Sequence, residues 1–216
     1  MKLKILVIVL LLIVSSYPQV REIESRTYFN QGDFEVNFSL NLGVGFTSYE
    51  ISNTNQSPYY NDYGGRPFIF LISAAMGYCV IDGLSVEPEF DINLIMGDSE
   101  ISTAILINAV YNFNIPRKSI YPFIKLGYGI SNYIPDYYYY NSSADNSLNT
   151  GVINIGAGLN IAYSSGMALK LEINYKRYNS TTSVDYYDYN TYEPRVEDLS
   201  LLAETLTFSM GYSIIF

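Results

Sequence analysis

In the stretch DFEVNFSLNLGVGFT every even-numbered residue from 34 to 46 is apolar (Phe34, Val36, Phe38, Leu40, Leu42, Val44, Phe46), whereas the odd-numbered ones are polar or tiny (Glu35, Asn37, Ser39, Asn41, Gly43, Gly45, Thr47). A period of two marks a β-strand with unlike faces, because successive side chains point to opposite sides of the sheet. The chain must therefore shield one whole face of a long strand from water.

The same alternation recurs to the C-terminus and gives eight expected strands. The second, about 67 to 81, carries Phe68, Phe70, Ile72, Ala74, Met76, Tyr78 and Val80 on its apolar face and ends at Asp82-Gly83. That dipeptide favours a tight hairpin because both residues tolerate positive φ. The third, 84 to 96, sets Leu84, Val86, Phe90, Ile92 and Leu94 against Ser85, Glu87, Glu89, Asp91 and Asn93. Three acids on one strand face cannot point into lipid. Further strands are expected at about 101 to 115, 120 to 133, 150 to 163, 167 to 178 and about 200 to 216. Connections after the second, fourth and sixth strands are short, and those after the others are mostly longer: about 50 to 66, 134 to 149 and 179 to 199, all rich in Tyr, Asn, Asp and Ser. Short turns at one end and long loops at the other match the periplasmic and extracellular ends of an outer-membrane barrel.

Residues 5 to 14 (ILVIVLLLIV) are wholly apolar, follow Lys2 and Lys4, and precede Ser15 and Ser16. This is the layout of an export signal, with cleavage expected after Ser16 or Gln19, and it is too short to cross a bilayer as a helix. The expected organisation is a signal at 1 to 19, a short periplasmic segment at 20 to 32, and a barrel at 33 to 216. Without the two signal lysines, 10 basic residues face 21 acidic ones, a net charge of about 11 negative that disfavours nucleic acid as a partner. The lone Cys79 excludes an intramolecular disulfide.

A two-sheet sandwich would also bury apolar faces, but its outer faces meet water and carry many charges. Here only 15% of residues are charged, against roughly 25% in soluble domains, and the opposite faces are full of Gly, Ser, Thr and Asn. Small residues suit the crowded interior of an eight-stranded barrel. A bilayer offers no partner for unpaired backbone groups, so an edgeless barrel satisfies both constraints. Tyr78, Tyr111, Tyr163 and Tyr212 at one rim, with Phe46, Phe68 and Tyr175 at the other, are the expected interfacial aromatics.

The C-terminal FSMGYSIIF, with Tyr212, Ile214 and the terminal Phe216, resembles the signal by which the barrel-assembly machinery recognises outer-membrane proteins. The stretches YPFIKLGYGIS and INIGAGLNIAYSSGMALKLEINYK resemble the fifth strand and the sixth-to-seventh hairpin of OmpA/OmpX-like small barrels. The resemblance covers about residues 33 to 216 in layout. It implies an all-β fold, an eight-stranded antiparallel up-and-down transmembrane β-barrel, located in the outer membrane of a Gram-negative bacterium with membrane lipid as its surroundings.

The expected lumen face carries Glu87, Glu89, Asp91, Lys125, Lys170, Glu172 and Lys176. Buried charges must pair, so a salt-bridge network filling the lumen is expected, with a proton or ion path as the alternative. No His is present, which removes the usual base of Ser-His hydrolases and the commonest metal ligand. No catalytic residue, cofactor or metal site is therefore expected. Gly43, Gly127 and Gly156 open Gly-x-Gly pairs without the third glycine of a dinucleotide site and read as gaps for bulky lumen neighbours. Pro88 in the third strand calls for a bulge or a place near the periplasmic rim. The loops present Tyr137, Tyr138, Tyr139 and Tyr140, then Tyr186, Tyr187 and Tyr189, among Ser, Asn and Asp. This composition suits adaptable binding surfaces. The expected function is thus a monomeric, non-enzymatic barrel that supports the envelope or binds an extracellular protein or polysaccharide. The alternative is a narrow conduit for small or hydrophobic molecules, as in OmpW-like barrels.

Overall fold

The alternating faces close on themselves. In a computed structural model the chain forms one closed antiparallel barrel in which each strand pairs with its sequence neighbours and the last pairs with the first. The strands are β1(Phe34–Ile51), β2(Phe68–Ile81), β3(Leu84–Met96), β4(Ile101–Asn112), β5(Ile120–Ser131), β6(Thr150–Ser164), β7(Met167–Asp188) and β8(Glu193–Ile215). The structure describes residues 28 to 51, 68 to 96, 101 to 115, 119 to 132, 150 to 164, 166 to 188 and 193 to 216, without the side chains of 47 to 51, 95, 96, 181 to 188 and 193 to 201. The expected export signal and Tyr137, Tyr138, Tyr139, Tyr140 and Tyr189 lie outside the described residues, as do the side chains of Tyr186 and Tyr187.

The seam between β1 and β8 runs from Glu35↔Ile215 to Ile51↔Leu199 without a slip. Register matters because a one-residue shift would turn every apolar side chain inward. The faces separate sharply: Leu106 and Val110 are fully buried, while Ile105 and Ile107 beside Leu106 are 53% and 64% exposed. Phe208, Met210, Tyr212, Ile214 and Phe216 likewise point outward from β8. Between Leu206 and Phe216, about 3.3 Å of rise per residue and a tilt of about 40° give an apolar band roughly 25 Å tall, the height expected of a membrane barrel. Its upper border is marked by Glu204, paired in register with Arg177 and accepting a 2.6 Å hydrogen bond from the Tyr175 hydroxyl.

One expectation needs correction. Residues 179 to 199 are not mainly a loop: β7 and β8 stay paired from Asn179↔Leu202 up to Asp188↔Glu193. Polarity made the segment read as a loop, but Thr181, Thr182, Val184, Tyr186 and Tyr187 are strand-forming residue types. Of the two alternatives expected for Pro88, a bulge or a place toward the periplasmic rim, the structure shows the second. The β2–β3 register is the same on both sides of it, Ala75↔Glu89 and Tyr78↔Val86, and the shift lies beside the hairpin between Cys79 and Ile81. The side chain of Pro88 is outward, in the half of β3 near the short turns.

A closed barrel of this kind resists detergent until heated. Unheated and boiled samples are expected to run at different apparent sizes on a gel. A single position, with the protein recovered in the soluble fraction, would contradict the architecture.

Candidate functional site

The seven charged residues expected in the lumen all lie there, and each is buried. Glu89 stands at the centre. One carboxylate oxygen lies 3.1 Å from Lys125 Nζ and the other 2.9 Å from Lys176 Nζ. Lys125 also pairs with Glu172 at 2.6 Å, and Lys176 with Asp91 at 2.5 Å. Lys170 stands 3.6 Å from Glu87 and lies over the ring of Phe123, 4.8 Å from its centroid. The attraction between such charges is strong in a low-dielectric interior, but it offsets the cost of desolvation only when the remaining polar atoms are also satisfied.

Neutral residues supply part of that satisfaction, while buried polar atoms of Asn93, Asn174 and Ser209 are left without a hydrogen-bond partner among the described residues. Asn41 donates to Ser73 Oγ at 3.0 Å, and Ser73 donates to Asp91 at 2.6 Å. Asn108 donates to Glu89 at 2.9 Å and accepts from Asn154 at 2.9 Å. Ser85 donates to Glu87 at 2.9 Å, Asn37 donates weakly to Glu87, and Ser213 donates to Asn37 Oδ1. All eight strands thus contribute to the polar filling. Glycine makes room for it. A Cβ on Gly156 would stand 2.5 Å from Asn174 Oδ1 and 2.6 Å from Glu172 Oε1, and one on Gly77 would stand 3.0 Å from Glu87 Cγ. Gly127 faces Asn108 in the same way, and Gly43 faces Thr207.

Apolar layers bound the charges on both sides. Toward the long-loop end, Ala104, Leu106, Val152, Tyr178 and Ala203 form one buried cluster. Toward the short-turn end, Cys79, Tyr121, Ala162 and Ile215 form another with Tyr28 and Phe29. Residues 28 to 32, read as the end of a periplasmic segment, therefore pack into the lower mouth of the barrel. Neither layer was anticipated from the sequence, nor was Glu35, which is buried within electrostatic reach of Glu87 and Lys170. Alternation places Glu35 on the polar face, so its position was legible although its neighbours were not. Among the described residues no group of three carboxylate or thiol side chains converges on a metal site.

The remaining candidates are dispersed. Tyr212, Ile214 and Phe216 face outward, with Phe216 against Phe34 at 6.4 Å between ring centroids. Tyr186 and Tyr187 stand in the outer part of β7, in register with Arg195 and Pro194. Among the described residues the β6–β7 ladder reaches Gly151↔Asn179 and the β1–β2 ladder Val44↔Phe68, whereas β1–β8 continues to Ile51 and β7–β8 to Asp188. Among the described residues, β1, β8 and β7 therefore extend past the printed ends of β2 and β6. Residues 180 to 188 of β7 have no partner strand on their outer edge among the described residues.

The sequence profile described as outer membrane protein beta-barrel domain matches residues 6 to 212. No curated protein sequence matches the chain. Among solved structures, the outer membrane protein OprG from Pseudomonas aeruginosa is 10% identical, with a TM-score of 0.54, over 90% of this chain and 99% of that one. Neisserial surface protein A is 13% identical, with a TM-score of 0.49, over 85% of this chain and 99% of that one.

Breaking a buried ion pair from one side leaves its partner charge stranded. Lys176→Met is expected to destabilise the barrel by about 3–5 kcal/mol in urea unfolding from lipid vesicles, and adding Glu89→Gln and Asp91→Asn to restore part of that loss. Gly156→Ala, which drives a methyl group into the Lys125–Glu172 pair, is expected to cost about 1–3 kcal/mol.

Proposed function

As the chain belongs to the outer membrane protein beta-barrel domain family, it is a protein of the Gram-negative outer membrane, and we propose that it is a sealed, non-enzymatic barrel whose working surface is the sheet it raises above the membrane. What supports this reading is the length of the β1–β8 and β7–β8 ladders, which among the described residues run beyond those of β1–β2 and β6–β7. From Ser180 to Asp188, at about 3.3 Å per residue, the β7–β8 pair extends roughly 26 Å along the strand.

A sheet edge presents a row of backbone N–H and C=O groups, which an extended chain can extend by one strand. That chemistry favours a protein partner over a polysaccharide. The tyrosines at 186 and 187 would add contact area with few rotatable bonds. The narrow conduit that the sequence also allows requires a continuous polar path. Against it stand the two apolar layers and the engagement of every lumen lysine by a carboxylate. An enzymatic reading lacks support for a related reason. The chain has no His, and Glu89, Asp91 and Glu172 are each held by a lysine rather than offered to a substrate.

Replacing residues 181 to 200 by an Asn-Gly turn removes the raised hairpin and leaves the wall strands whole. Cells displaying this variant are expected to lose binding to immobilised matrix and surface proteins while the protein keeps its heat-dependent gel shift. Unchanged binding by a folded variant would overturn the reading.

A further inference from the structure

The segment entering β1 is folded into the lower mouth of the barrel, a feature that the surface role does not use. Tyr28 is 2% exposed and Phe29 fully buried. Both rings meet Tyr121 edge-on, with centroids 5.6 Å away. The Tyr28 hydroxyl donates to the carbonyl of Ser164 at 2.6 Å. Backbone bonds fix the rest: Gly32 N–H to the Cys79 carbonyl at 2.9 Å, Cys79 N–H to the Asp33 carbonyl at 2.9 Å, and Gly83 N–H to the Phe29 carbonyl at 2.7 Å. Gln31 N–H donates to the Asp82 carboxylate at 2.8 Å, in the β2–β3 turn. Phe29 has φ 62°, a left-handed conformation that a bulky residue keeps only where its surroundings hold it.

The floor under these two rings is built from β2, β5, β6 and β8 through Cys79, Tyr121, Ala162 and Ile215. Ile215 is in the last strand and pairs in register with Glu35 at the seam. The cradle is therefore complete only once the last strand has met the first. We propose that residues 28 to 33 are a closure latch: they dock after the β1–β8 seam has formed, hold the closed barrel, and seal the charged lumen and the Cys79 thiol from the periplasm. Undocking is the first step of opening, because the latch gives up contacts with four strands while the ladders stay intact.

Cys79 is the only cysteine in the chain, so its labelling by a maleimide reads the latch directly. In the full protein in lipid vesicles, Tyr28→Ser/Phe29→Ser is expected to label on the order of a hundredfold faster than the unmodified chain, the kind of ratio seen where local opening gates access. Its unfolding in urea is expected to be about tenfold faster, with the folding rate nearly unchanged, as for contacts that form after the transition state. Equal protection of Cys79 in the folded variant, or folding slowed as much as unfolding is accelerated, would overturn the proposal. Should the double variant not insert, the unmodified protein decides. Labelling that begins at urea concentrations where the gel shift is still complete supports an independent latch, and labelling that coincides with loss of the shift contradicts it.

Discussion

Closure of the backbone ladder is the constraint from which the other features follow. Inside a bilayer an unpaired N–H or C=O has no water to turn to, so the first and last strands must find each other. The β1–β8 pairing does this along the full length of the wall, from Glu35↔Ile215 upward. Eight strands then fix a lumen only wide enough for side chains, and whatever points inward must pack against everything else that does. Alternation supplies the apolar exterior. The interior has to be solved by specific fit.

The solution combines ions and glycines. Three lysines are shared among the carboxylates of β3 and β7, with Glu89 taking two of them, and Gly156 and Gly77 leave the volume their chains need. A buried ion pair need not stabilise a fold more than apolar packing would. What this network adds is cross-linking: its hydrogen bonds run from Asn41 in β1 to Asp91 in β3, and from Asn154 in β6 to Asn108 in β4. Apolar layers above and below keep water from competing with these bonds.

The wall was legible because period two is a local signal, repeated at every pair of residues. It placed Glu87, Glu89, Asp91, Lys125, Lys170, Glu172 and Lys176 on one face, and it put β3 at 84 to 96. Which lysine meets which acid depends on register between strands far apart in sequence, such as Lys176 and Asp91, and a strand's own pattern does not carry that. Tyr121, Phe123 and Leu106 escaped notice because apolar residues inside a polar lumen break the simple two-face rule. The latch was illegible for a related reason: residues 28 to 33 show no period, and their conformation is set by a cradle that only the assembled barrel provides. The raised part of β7 was hidden by its polarity, since a strand with no lipid to face needs no apolar side.

A barrel that is filled and sealed, as proposed above, leaves its outer surface as the place of function. The most direct test is the current through planar bilayers containing the purified protein, with the extracellular and periplasmic sides addressed separately. A sealed lumen is expected to give a current indistinguishable from that of the bare bilayer in simple salt solutions. Steady, reproducible single-channel steps would contradict it.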